Sequence, residues 1–158
     1  MAPKKSAGLL CYRKRDGNLE VLLIHPGGPY WRNKDFRSWS IPKGLAEEGE
    51  EFLHAAIREF CEETGFQLDP DVGMIQLTPI RQANGKIVHA WAFEGDFDVA
   101  LARSNSFTRE WPPGSGEQQK FPEVDRAGWF PLEVARKKIH AGQEPLLLEL
   151  ERLLQTEG

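Results

Sequence analysis

The chain has 158 residues, 40% hydrophobic and 28% charged, with 20 Lys and Arg against 24 Asp and Glu and a formal net charge of −4. That length suits one domain with enough apolar material for a core, and the acidic balance argues against a surface built for broad nucleic-acid binding. No apolar run approaches the ~20 residues of a membrane span, and the start, MAPKKSAGLLCYRK, lacks the long apolar tract of a signal peptide. The expectation is a cytoplasmic protein without membrane contact, forming a single domain over residues 1–158.

In chain order, residues 6–13 (SAGLLCYR) and 19–25 (LEVLLIH) read as strands joined by a turn at Asp16-Gly17-Asn18. Residues 26–37 form a loop rich in Gly, aromatic and basic residues, and 39–42 a short extended piece. A helix is predicted over about 49–64, closed by Gly65 as its C′ residue. Extended runs at 74–82 and 86–94 flank a hairpin signal at Ala83-Asn84-Gly85, with Pro79 marking a bulge or an edge. Residues 104–122 read as a long polar loop, and Gly128-Trp129-Phe130 as a short strand. Helices follow over 131–140 and 144–154, the last with Leu147, Leu150 and Leu154 on one stripe that is a candidate homodimer face. This order fits an α/β fold with a mixed sheet and helices on both sides. Cys11 in a strand and Cys61 on a helix read as reduced thiols, too few for a zinc site.

The chemistry concentrates in residues 44–66, GLAEEGEEFLHAAIREFCEETGF. Glu59, Glu62 and Glu63 stand at i, i+3 and i+4, so a helix stacks their carboxylates on one face, while Leu53, Ile57 and Phe60 point to a core side. Ala55 and Ala56 lie nearer the carboxylates, where small side chains leave room for an approaching group. Like charges at this spacing repel, and a hard divalent ion such as Mg²⁺ reverses the sign of that interaction. Arg58 adjoins the cluster with no interleaved lysine, unlike a face made for solubility pairs.

Gly44, Glu50, Arg58-Glu59, Glu62-Glu63 and Gly65, with Phe60 and Phe66, meet every fixed position of the pattern G-x5-E-x7-R-E-U-x-E-E-x-G-U, where U is bulky and apolar. Here the chain resembles the Nudix hydrolase family. Trp39-Ser40-Ile41-Pro42-Lys43-Gly44 is similar to the lead-in of members that cleave dinucleoside polyphosphates, and residues 121–130 to a segment that often supplies one more acidic ligand. The resemblance implies an α/β/α sandwich and cleavage of a phosphoanhydride with Mg²⁺, for which Mn²⁺ substitutes. It implies Glu59, Glu62, Glu63, Glu123 and the Gly44 carbonyl as metal ligands, Glu50 as an orienting partner, and Arg58 as the residue that fixes the carboxylate rotamers. Glu59 is the first candidate for general base and Glu123 the second.

Lys43, directly before Gly44, puts an ammonium at the mouth of such a site as a phosphate contact. Tyr30, Trp31, Phe36 and Trp39 interleave with Arg32, Lys34 and Arg37, a composition that stacks bases and grips phosphates. Tyr30, Trp31 and Arg37 are the substrate-contact candidates there, with Trp39 beside them; a core-anchoring role competes for Phe36 and is the preferred reading for Trp39. His25 and His89 read as structural. The expected partner is a nucleotide-type small molecule, a dinucleoside polyphosphate or a nucleoside triphosphate, with no stable nucleic-acid complex. Hydrolysis of RNA 5′ ends is the alternative within the class. A non-catalytic nucleotide sensor is the alternative outside it, and the intact acidic positions argue against that one.

Overall fold

Strand alternation in the two longest apolar runs decides the architecture. The structure, a computed structural model, describes residues 5–157; Met1 to Lys4 and Gly158 of the expected domain lie outside the described residues. β1 (Lys5–Arg15) and β2 (Asn18–Pro26) form an antiparallel hairpin, turning through Asp16 and Gly17, both with positive φ. Ala7, Leu9 and Cys11 of β1 and Leu22 and Ile24 of β2 face one layer, whereas Leu10, Tyr12, Val21 and Leu23 face the other. Both faces are therefore apolar, and both are covered by helices.

The rest of the sheet grows from this hairpin. β3 (Lys43–Leu45) pairs antiparallel with the start of β1, and β6 (Ile87–Glu94) pairs parallel along it. β4 (Ile75–Gln76) and β5 (Ile80–Arg81) add to β6, and β9 (Val124–Pro131) closes the far side against β2. α1 (Phe52–Thr64) covers one face; α2 (Leu132–Lys138) and α3 (Glu144–Glu157) cover the other. The result is the mixed-sheet α/β/α sandwich that the resemblance implies. No helix of the described residues is long and apolar enough to cross a membrane.

Several expectations are corrected. α1 begins at Phe52 rather than at 49, because Gly49 adopts φ 79° and Glu47 to Glu50 form a turn instead. Ala55 and Ala56 are fully buried against the sheet, so what their small size admits is β1 and not a ligand. The run 74–82 splits at Leu77 to Pro79, where Thr78 donates both its N–H and its hydroxyl to Glu149 of α3. The loop 104–122 is a separate two-stranded hairpin, β7 (Ser106–Glu110) and β8 (Gln118–Pro122), whose side chains are largely exposed and so carry no alternating apolar pattern. Leu147, Leu150 and Leu154 lie in the protein's own core, each fully buried leucine stabilising the fold by about 1.5–3 kcal/mol. That stripe is not available as a dimer face.

Candidate active site

α1 and β3 build the site jointly. Pairing of Lys43 with Gly8 and Gly44 with Ala7 lays β3 alongside the helix. The Lys43 N–H then donates to Glu63 Oε1 at 3.0 Å, and Arg58 Nη2 donates to the Leu45 carbonyl at 3.2 Å. Gly44 has no alternative here, since a Cβ on it would overlap the Glu59 carboxyl group.

Arg58 organises the carboxylates. Its Nε and Nη2 donate to the two oxygens of Glu50, both at 2.9 Å, and Nη1 donates to Glu59 at 2.9 Å and to Glu62 at 3.4 Å. Glu50 also accepts from the Glu47 N–H at 2.9 Å and meets His54 Nδ1 at 2.8 Å. Arg58 above all holds the Glu50 carboxyl down at about 2. A carboxylate committed in this way orients its neighbours and is a poor proton acceptor.

Glu59 and Glu63 behave differently. Burial pushes the Glu59 carboxyl up against the pull of Arg58, with Glu62 and Glu123 adding in the same direction. Burial pushes Glu63 further, to about 8, opposed by the Lys43 N–H and reinforced by Glu59 and Glu123. Glu59, Glu63 and Glu123 thus share one region, in which Arg58 and Lys43 offset only part of the negative charge. Lys43 is half-buried with a desolvated ammonium; burial and Lys86 lower its pKa while Glu63 and Glu59 oppose the fall. A cavity of about 180 Å³ is lined by Ser40, Lys43, Glu63 and Glu123 with Ile24, Pro26 and Val124. A second, of about 280 Å³, also touches Glu63 and is lined on its polar side by Arg103, Ser104, Asp125 and Arg126.

Among the described residues no three Asp, Glu, His or Cys side chains converge as a ready-made ligand set; Arg58 stands between Glu50, Glu59 and Glu62. The donor chemistry nevertheless fits a hard divalent cation. It is all oxygen, and Lys43 only partly offsets the desolvated charge of the half-buried Glu63, which such an ion would balance further. Glu62, the most exposed of the box glutamates, reaches only Arg58.

The loop before the box is divided in its roles. Trp39 is 4% exposed, stands edge-on to His25 and Phe130, and donates its indole N–H to Asp35 at 2.8 Å. It is a core anchor and offers no face for a base. Arg37 is turned to the helical layer behind, donating to the Arg136 carbonyl at 2.8 Å and to Glu144 at 3.2 Å, so it does not join the carboxylates. Tyr30 remains exposed, with the Lys34 ammonium 3.8 Å from its ring. Gln143 carried no sequence signal, and His25, read as structural, is so placed. Gln143 accepts the Ile41 N–H at 3.0 Å and donates to Ser40 Oγ at 3.0 Å, fastening the strand that leads into Lys43. His25, fully buried, joins Asp125 to the loop.

The NUDIX domain family model matches residues 2–150. An RNA pyrophosphohydrolase of Caulobacter vibrioides is 42% identical over 53 residues, 30% of this chain and 31% of that protein. The asymmetrical bis(5′-nucleosyl)-tetraphosphatase of Caenorhabditis elegans is 42% identical over 59 residues, 37% of this chain and 38% of that protein. The alignment thus spans about a third of the length of each curated relative. The crystal structure of a C. elegans Ap4A hydrolase binary complex superimposes with a TM-score of 0.67 at 25% identity, covering 96% of this chain and 98% of that one.

Proposed function

The chain belongs to the NUDIX domain family, and from that premise we propose that it hydrolyses a phosphoanhydride bond in a nucleoside diphosphate linked to a further group, a dinucleoside polyphosphate above all. The observation that carries this reading is the Arg58-organised carboxylate face around the half-buried Glu63, with Lys43 lining the same cavity. Glu59, Glu63 and Glu123 would hold a divalent cation, Mg²⁺ or in its place Mn²⁺, with Glu62 and the Gly44 carbonyl at the margin. Such an ion neutralises phosphate charge and makes a bound water more acidic.

The chain's own residues do the rest. Arg58 keeps Glu59 and Glu62 in fixed rotamers, and Glu50 in turn fixes Arg58 through both its oxygens. Lys43 draws the polyphosphate into the cavity; its desolvated ammonium meets an anion with little competition from water. Glu59 accepts the proton of the attacking water, and Glu123 is the alternative acceptor. Glu63 stands between two cavities, so a substrate with a group on each side of the scissile bridge suits the site. The 42% identity to an RNA pyrophosphohydrolase supports a second reading, in which the leaving pyrophosphate comes from an RNA 5′ end.

A panel of diadenosine polyphosphates, nucleoside triphosphates, nucleotide sugars and 5′-triphosphorylated RNA, each incubated with Mg²⁺ and resolved by chromatography, tests the proposal. Turnover is expected to be fastest on a dinucleoside polyphosphate and to be lost in Glu59→Gln. Activity confined to triphosphorylated RNA would select the second reading, and no cleavage of any member would refute both.

A further inference from the structure

Residues 26–37 are tied to β9 by one buried imidazole. His25, the penultimate residue of β2, is fully buried, and both its ring nitrogens face acceptors: Nδ1 is 2.8 Å from Asp125 Oδ1 and Nε2 is 2.5 Å from the Lys34 carbonyl. A carbonyl only accepts, so Nε2 carries hydrogen and donates to Lys34. Asp125 fixes the other nitrogen and, through it, the plane of the ring, which also stands edge-on to Trp39 at 5.1 Å. One side chain thus ties the middle of the loop to β9, two residues beyond Glu123.

The same loop is fastened at its root. Gly27 N–H donates to the Glu123 carbonyl at 2.8 Å, a Cβ on Gly27 would overlap the Pro122 carbonyl, and a Cβ on Gly28 would meet Phe107 of β7 at 2.9 Å. What these ties present outward is an aromatic and cationic cluster. The Lys34 ammonium lies 3.8 Å from the Tyr30 ring and 5.2 Å from Trp31, the two rings stand edge-to-face, and Tyr30 is 58% exposed. None of this touches Arg58 or the box glutamates.

We infer that His25 is a positioning residue for substrate recognition: by binding the Lys34 carbonyl and Asp125 together it holds Tyr30 and Trp31 where the base of a nucleotide substrate stacks, on the loop whose Gly27 binds the Glu123 carbonyl. The inference rests on the proposed nucleotide hydrolysis and adds the residue that sets affinity for the nucleoside end. Its loss acts on binding more than on the chemical step, because the metal-side carboxylates are held independently by Arg58.

His25→Phe keeps the ring and its packing on Trp39 but makes neither hydrogen bond. It is expected to raise KM for a dinucleoside polyphosphate roughly tenfold, the scale of one or two lost hydrogen bonds, with kcat within about threefold. Asp125→Ala frees the imidazole without opening a hole in the core and is expected to act in the same direction. Asp125→Asn keeps a side-chain amide that can pair with Nδ1 and is expected to restore a near-normal KM. Amide hydrogen exchange is read on the same proteins. It is expected to quicken in residues 29–37 of His25→Phe and Asp125→Ala while α1 keeps its protection. An unchanged KM in both variants, a loss in Asp125→Asn as large as in Asp125→Ala, or unaltered exchange in 29–37 overturns the inference. If the unmodified protein cleaves no nucleotide, the proposed function fails, and the exchange measurement still decides whether His25 anchors the loop.

Discussion

Glu63→Gln is expected to make the metal-free protein more stable and the enzyme inactive. Glu63 is half-buried beside Glu59 and Glu123, and its pKa rises from 4.5 to about 8. Between those values the folded protein keeps a proton that the unfolded chain has released, so stability falls as pH rises from about 4.5 to about 8. Each tenfold change in acidity constant corresponds to about 1.4 kcal/mol, which puts the loss at no more than about 5 kcal/mol above pH 8. Local opening toward water reduces it, and roughly 2–4 kcal/mol is expected. Glutamine is neutral, keeps the shape, and still accepts the Lys43 N–H. Thermal unfolding without metal is the assay. At pH 5 the two proteins are expected to melt within a few degrees of one another; at pH 8.5 the variant is expected to melt about 5–15 °C higher. Mg²⁺ is expected to raise the melting point of the unmodified protein more at pH 8.5 than at pH 5, and that of the variant little at either. A variant that melts lower at pH 8.5, or by the same margin at both pH values, would refute the claim that a desolvated, incompletely compensated carboxylate sits at this position.

Lys43→Ala is expected to raise KM for polyphosphate substrates about tenfold with a smaller fall in kcat, read from steady-state kinetics; an unchanged KM would remove the phosphate contact. Gly44→Ala is expected to displace the Glu59 carboxyl and cost about 1–3 kcal/mol of stability together with most activity, checked by denaturant unfolding and turnover. Leu150→Ala is expected to destabilise by about 2–5 kcal/mol with no change in sedimentation coefficient, since this leucine fills the protein's own core.

The sandwich was legible because local pattern and global fold agree along β1, β2 and α1, where alternation and helical spacing each have one solution. The box glutamates and their helix were legible for the same reason, since spacing alone puts Glu59, Glu62 and Glu63 on one face. Two kinds of feature were not. The β7–β8 hairpin has exposed faces on both strands, so no apolar alternation marks it. Roles that depend on long-range partners were hidden as well: Trp39 and Arg37 looked alike as members of an aromatic and basic loop, and only their contacts with Asp35, Arg136 and Glu144 separate them from Tyr30. Gln143 and His25 act across about a hundred residues of chain, a distance at which single-residue spacing says nothing.

Titration of the protein with Mn²⁺, followed by electron paramagnetic resonance of the free ion, tests the central claim most directly. Glu59, Glu63 and Glu123 are predicted to capture the ion, so Glu63→Gln and Glu59→Gln should each weaken binding at least about tenfold. Equal affinity in the unmodified protein and in both variants would contradict the assignment of these carboxylates as the metal centre.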